Sequence, residues 1–349
     1  MNGPKNPENN VGEVWTLAER REGRLHGVSF ELLAWGRELA DKKDSPLASV
    51  VLGHGVSDED AASLIRGGAD KVYVIDEPQL AQFLPDAYKK SIADLVRKYR
   101  PDIFIASATS QGRTIMPTLY AALGTGLTAD CTGLDIEPGT GMLIQTRPAI
   151  GGNVMAEIRT PDRRPQMCTV RPKSRRPLAP DTARTGQVVR HRPADESLAS
   201  VLERLSFRGE PSIGLPIQEA EIIVAGGKGM KKARNFRTLE ELAGLLGGSV
   251  GASRMAVDLG WVPYSAQVGL SGKSVTPRLY IACGISGAVQ HLAGMSGAER
   301  VIAINQDPEA PIFNSADISI VGDAMDVLPR LITEIKSIKN DRAAGGAVR

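Results

Sequence analysis

Two stretches in which short apolar runs alternate with amphipathic segments, separated by a Pro- and Arg-rich passage, constrain this chain more than any single motif. In the first, residues 14–17, 48–52, 71–75 and 102–106 read as strands, and 27–39, 58–65, 84–99 and 115–123 as helices. Such a βαβα rhythm requires a mainly parallel sheet covered by helices. From 126 to 172 the text is rich in Gly, Thr and Pro between β-prone runs such as 142–146 and 166–170, which fits antiparallel ribbons or added strands. From residue 219 a second rhythm begins, with strands expected at 222–225, 278–283, 301–305 and 317–321. Helices are expected at 239–246, 286–293 and 327–338, and residues 340–349 as a frayed tail. The fold class is therefore α/β, with two doubly wound domains. The boundaries are 11–205 and 217–338, and 171–216 forms a basic, Pro-rich linker region that cannot build a core of its own.

At 349 residues the chain is long enough for two cores. Its 42% apolar and 23% charged residues are ordinary for a globular protein, and a net charge of +2 gives no general attraction to nucleic acid or anionic membrane. The basic linker carries no interleaved aromatic residues on which bases would stack, so no nucleic-acid partner is expected. Cys131, Cys168 and Cys283 fall in no metal-ligand spacing and read as small packed residues, so no metal is expected. No apolar run approaches the ~20 residues of a membrane span. The Asn-, Pro- and Gly-rich first ten residues lack the apolar centre of a secretory signal, so the expected location is cytoplasmic.

Chemistry concentrates in the second half. In an open parallel sheet, ligands bind outside the carboxyl ends of the strands. Here those ends carry Gly226-Gly227-Lys228-Gly229, Gly251-Ala252-Ser253-Arg254, Gly284-Ile285-Ser286-Gly287, Asn305 and Gly322-Asp323. Glycines at such turns let backbone amides approach phosphate oxygens. Ser286 is placed to cap the expected helix, which puts His291 in its second turn. Gly-x-x-Gly alone is usually only a tight turn, and neither GxGxxG nor a P-loop is present. A lone His on a short helix is more often structural than functional, and pairing with a surface carboxylate is an equal reading of Arg254. The N-terminal half offers no catalytic constellation: His26 and His54 fall in loops, His191 in the linker, and Ser107 and Thr109 read as turn residues.

Residues 277–323, opening PRLYIACGISGAVQHLAGM and continuing through VIAINQDPEAPIF, closely resemble the FAD signature of electron-transfer flavoprotein alpha subunits. VGASRMAVD at 250–258 and QVGLSGK at 267–273 match the two preceding blocks of that family. GLTADCTGL at 126–134 and RPAIGGNVMA at 147–156 extend the likeness into the N-terminal half. The resemblance implies a Rossmann-like C-terminal domain that binds FAD, and a heterodimer with a beta subunit that carries AMP or a second FAD. It also implies electron exchange with a flavin dehydrogenase of the acyl-CoA dehydrogenase type or another redox partner.

Carried over by position, Arg254 would lie against the isoalloxazine and favour reduced, anionic flavin, Ser271 would supply a hydroxyl near flavin N5, and His291 would face the pyrimidine carbonyl. Lys228, Ser253, Gln267, Val268, Gly269, Leu270, Gly284, Ser286, Gly287, Ala288, Val289, Gln290, Asn305 and Asp323 would line the rest. Two positions depart from many relatives. Lys228 stands in place of Arg, losing the bidentate fork, and Leu270-Ser271 stands in place of Gln-Thr, keeping the hydroxyl and losing an amide. The His291 charge is expected to follow the flavin redox state, since a helix N-terminus disfavours protonation and an anionic flavin favours it.

GLTADCTGL is also reminiscent of the anaerobic, electron-bifurcating branch, in which NADH is oxidised only together with the beta subunit. The rival readings are a stand-alone nicotinamide-dependent dehydrogenase and a non-redox nucleotide-binding assembly module. The first lacks a glycine fingerprint after residues 14–17; the second leaves Arg254, Ser271 and His291 without a purpose.

Overall fold

A computed structural model describes residues 12–149, 154–206 and 215–345, the last five by backbone alone. Residues 150–153 of the RPAIGGNVMA block and the last four residues of the expected tail lie outside the described residues. The chain divides into two compact units, Met1–Phe207 and Arg208–Arg349.

In the first unit the strands of four or more residues are β1 (Val14–Ala18), β2 (Leu47–Gly53), β3 (Lys71–Asp76), β4 (Ile103–Ser107), β5 (Gly126–Cys131), β6 (Gly133–Ile136), β7 (Leu143–Pro148), β8 (Met155–Ile158), β9 (Gln166–Val170) and β10 (Gln187–Arg190). Seven of them form one sheet in the order β10-β3-β2-β1-β4-β9-β5, every pair parallel. The strands β6, β7 and β8 make a separate antiparallel ribbon. Both possibilities read for 126–172 are therefore realised, since β9 inserts into the main sheet and the ribbon stands apart.

Strand alternation sorts the core by face. Val14, Leu47, Val51, Val72 and Ile103 pack with α1 (Val28–Lys43) and α2 (Asp58–Arg66). Trp15, Val50, Tyr73, Ile75 and Phe104 pack with α3 (Pro85–Tyr99) and α4 (Ser110–Leu123) on the other face. The sheet is covered on both sides, as the near-continuous apolar text of these strands requires.

The basic passage is not simply an extended linker. Its residues 187–190 form β10 and pair with β3 at the sheet edge. His191 beyond them is buried, with Nε2 2.9 Å from Asp94 Oδ2 on α3, and Leu198 joins the core. Composition misled because an edge strand needs only one neighbour, and its exposed side carries polar residues without penalty.

The second unit holds five parallel strands, β11 (Ile222–Gly226), β12 (Ser249–Ala252), β13 (Leu279–Cys283), β14 (Val301–Asn305) and β15 (Ile318–Val321), in the order β12-β11-β13-β14-β15. One face is covered by α5 (Phe236–Leu246) and α8 (Ala324–Gly345) through Leu239, Leu242, Leu328 and Ile332. The other is covered by Val268, Val275, Met295 and Ile312, that is, by loops and the short helix α7 (Val289–Met295). Helix α8 continues to Gly345, so residues 340–345 are not a frayed tail. In each unit the chain leaves its first strand to one side and returns on the other, which puts a topological switch point at β1/β4 and at β11/β13.

Candidate functional site

At the second unit's switch point two glycine turns interlock. The Gly227 amide donates to the Cys283 carbonyl at 2.9 Å, and the Gly229 amide to the Gly284 carbonyl at 2.9 Å. A Cβ on Gly227 would lie 2.2 Å from the Gly284 oxygen, so no side chain fits between the turns. Gly284 itself adopts φ +60°, and Gly287 φ +87° with its backbone against Ile312.

Around this junction the expected residues form a continuous rim. Ser253 precedes the short helix α6 (Arg254–Asp258) and donates its amide to the Gly226 carbonyl at 2.9 Å. The loop 267–273 is tied to the same edge through the Val268 amide, 2.9 Å from the Ala252 carbonyl, and to α7 through the Leu270 amide, 2.7 Å from the Gln290 carbonyl. Gly269, at φ +144°, lets the loop lie against Gly294 of that helix. Asn305 donates through Nδ2 to the Ile285 carbonyl at 2.9 Å, fixing the next turn. Asp323 pairs with Lys231, whose ammonium holds its carboxyl below the usual carboxylate range.

Within the rim the side chains divide. Ser286, Ala288, Val289, Gln290 and Lys228 are exposed. Leu270 is 75% exposed, and the Arg254 side chain is 71% exposed. Arg254 Nε lies 3.2 Å from Asp258 Oδ2 one turn along its own helix. Gln267, Val268 and His291 are buried. Gln267 donates through Nε2 to Ser271 Oγ at 3.1 Å, and the Tyr264 hydroxyl donates to the Ser271 carbonyl at 2.9 Å, so Ser271 is held from both ends.

Two details differ from the sequence reading. Helix α7 starts at Val289, not 286; its N-cap is Ala288, and no side chain caps it. Ser286 instead accepts the Ile312 amide through its carbonyl, at 3.1 Å. His291 therefore sits in the first turn, and its ring faces the core. Nε2 lies 3.0 Å from the Tyr280 hydroxyl, while Nδ1 is buried without a hydrogen-bond partner. Burial pushes the imidazole pKa down to about 4; the Val268 backbone opposes this weakly, without closing a normal hydrogen bond to the ring. The chain without flavin thus carries His291 uncharged at neutral pH.

Residues not singled out from the sequence also matter here. Lys231, Tyr264, Asp258 and Tyr280 each hold an expected residue in place. The lysine run 228–232 and the Tyr280 strand were visible, but nothing in their spacing announced these contacts.

In the N-terminal unit, the β1/β4 switch point is filled by the protein itself. Glu19 follows β1 and is buried; Thr109, the N-cap of α4, donates through its hydroxyl to Glu19 Oε1 at 2.5 Å, and Ser29 Oγ accepts the Glu19 amide at 3.0 Å. Burial raises the Glu19 carboxyl to about 7, against smaller opposing effects of Thr109 and Arg21. The sequence reading missed this acid because a single Glu after a strand is commonplace. Beside it, the cleft between Val28, Trp35, Ser107, Val170 and Arg171 is too tight to admit a water molecule. Cys131, Cys168 and Cys283 are buried free thiols. Among the described residues no His, Cys, Asp or Glu cluster is placed to hold a metal ion, and no helix is long and apolar enough to cross a membrane.

The second-unit rim fits a dinucleotide with a flat aromatic body. It combines a glycine junction with no room for side chains, the cations Lys228 and Arg254, and the open apolar side chains of Leu270 and Val289. Comparison with known proteins agrees. The model of the electron transfer flavoprotein domain matches residues 14–196, and that of the electron transfer flavoprotein FAD-binding domain matches 216–296. The electron transfer flavoprotein subunit alpha of Thermoanaerobacterium thermosaccharolyticum is 47% identical, over 95% of this chain and 100% of its own length. Lactate dehydrogenase (NAD(+),ferredoxin) subunit LctC of Acetobacterium woodii is 41% identical, over 94% of this chain and 78% of its own. The acryloyl-CoA reductase electron transfer subunit beta of Anaerotignum propionicum is 40% identical, over 95% and 98%.

Proposed function

The chain belongs to the electron transfer flavoprotein alpha-subunit family, with an FAD-binding domain in its second half, and from that premise we propose that it is the flavin-holding half of a heterodimeric electron carrier. Its beta partner completes the complex, and electrons pass between a flavin dehydrogenase and a second redox protein. The observation that carries the reading is the convergence of five parallel strand ends on the Gly227–Gly284 junction, with Arg254, Ser271 and Lys228 on its rim.

Bound FAD supplies the one- and two-electron chemistry. The chain's own residues set its electrostatics. Arg254 offers a guanidinium to the negative charge that reduction adds, and the effect grows as the partner excludes water. Ser271, held by Gln267 and Tyr264, offers a fixed hydroxyl. The glycine junction and Lys228 suit the diphosphate, with Asn305 and Asp323 toward the adenosine end. His291 contributes a neutral ring that shapes the 267–273 loop.

Relatives such as the LctC subunit, whose name carries NAD(+) and ferredoxin, favour a second reading in which the complex splits electron pairs from NADH and beta holds a second FAD. Flavin content and redox titration of the chain co-expressed with its beta subunit decide between them. One FAD per heterodimer, with no reduction by NADH, supports a simple carrier. Two FADs reducible by NADH support bifurcation. No flavin at all would overturn the reading.

A further inference from the structure

The Tyr280–His291 contact is a polar pair in the core beneath the rim that the proposed flavin chemistry does not use. Tyr280 lies on β13, fully buried, and its hydroxyl is 3.0 Å from His291 Nε2. A neutral imidazole has one donor and one acceptor nitrogen, so this contact can run either way.

The surroundings choose between the two directions. If Nε2 carried the proton and donated, the Tyr280 hydroxyl hydrogen would need another acceptor in a desolvated site, and Nδ1 would be left as a buried lone pair with no donor. If Tyr280 donates to Nε2 instead, its own hydrogen is used and the Nδ1 proton alone is left without a partner. The second arrangement leaves one unused donor where the first leaves an unused donor and an unused acceptor. Unsatisfied buried polar groups are costly, so the second is favoured. Burial, which keeps the imidazole from taking a second proton, is consistent with a single fixed tautomer.

We propose that Tyr280 is a positioning residue: by donating to His291 Nε2 it keeps the imidazole proton on Nδ1 and holds the residue in place beside Gly269 in the loop that carries Ser271. The loop is tied through Val268 to Ala252 and through Leu270 to Gln290, the residue before His291. The inference rests on the flavin reading only for its consequence; the tautomer itself is a property of the chain.

The test is nitrogen NMR of the full chain, assembled with its beta subunit and labelled with 15N-histidine. His291→Gln assigns the resonance among the four histidines. The expected spectrum at neutral pH has Nδ1 in the protonated range and Nε2 in the unprotonated range. In Tyr280→Phe the two shifts should move toward each other as the tautomers mix, and amides 268–272 should exchange several-fold faster. A protonated Nε2 in the unsubstituted protein overturns the proposal without any variant having to fold. So do unchanged shifts in a folded Tyr280→Phe protein. Failure to bind FAD would sink the proposed function and leave this readout intact.

Discussion

Gly229 and Gly284 meet back to back, the amide of one on the carbonyl of the other at 2.9 Å, and that contact joins the turns after β11 and β13 into a single floor. Gly284 is in the left-handed region, and a Cβ there would lie 2.7 Å from the Gly229 backbone. Gly284→Ala should therefore cost ~2 kcal/mol or more, from the left-handed penalty plus overpacking. The measurement is the denaturant midpoint together with FAD content after purification. An alanine variant with the original stability and a full complement of flavin would show that the floor is not needed.

The guanidinium of Arg254 gives the opposite pattern. It is largely exposed and, among the described residues, pairs with Asp258 on the same helix, an arrangement worth ~0–1 kcal/mol. Arg254→Ala should leave the unfolding midpoint nearly unchanged while lowering the flavin reduction potential, because a cation near the reduced flavin is lost. Potentiometric titration of the assembled protein checks this; a potential equal to that of the unsubstituted protein would remove Arg254 from the site.

Much of this site was legible in the sequence because parallel topology forces every strand's carboxyl end to the same edge, so glycines after Ala225, Cys283 and Val321 could be placed together without a structure. The interior partners of those residues were not legible. His291 on a short helix gives no sign of whether its ring turns outward to a ligand or inward to Tyr280, since both depend on where β13 lies beneath it. The 171–216 passage failed for a related reason. Its polar, Pro-rich text describes an exposed edge strand as well as it describes a linker, and only pairing with β3 distinguishes them.

That edge strand supplies a third test. His191 is buried at the end of β10, with Nε2 on Asp94 of α3. Truncation would leave Asp94 without this partner and free the strand. His191→Ala should cost ~1–3 kcal/mol and accelerate amide exchange at 187–190 well before the rest of the sheet. Uniform exchange across β3 and β10 in the variant would mean that the strand is held by its ladder alone.

Glu19 and His291 make opposite contributions to the pH dependence of stability. The His291 pKa falls from 6.5 to about 4 on folding, so the unfolded chain binds the extra proton between those values. Its contribution is complete above pH 6.5 and is lost as pH drops toward 4. The Glu19 pKa rises from 4.5 to about 7, so here the folded chain binds the extra proton. Its contribution is complete below 4.5 and is lost as pH climbs through 7. At pH 8 the folded protein must hold Glu19 as a buried carboxylate, at a cost of order 3 kcal/mol relative to a neutral group of the same shape. Glu19→Gln keeps the shape and an acceptor for the Thr109 hydroxyl while removing the ionisation. The variant should gain ~1–3 kcal/mol at pH 8 and little or nothing at pH 5. Urea titrations of both proteins at the two pH values make the comparison. Equal gains at pH 5 and pH 8 would mean that the substitution acts through packing and that Glu19 ionises near its ordinary value.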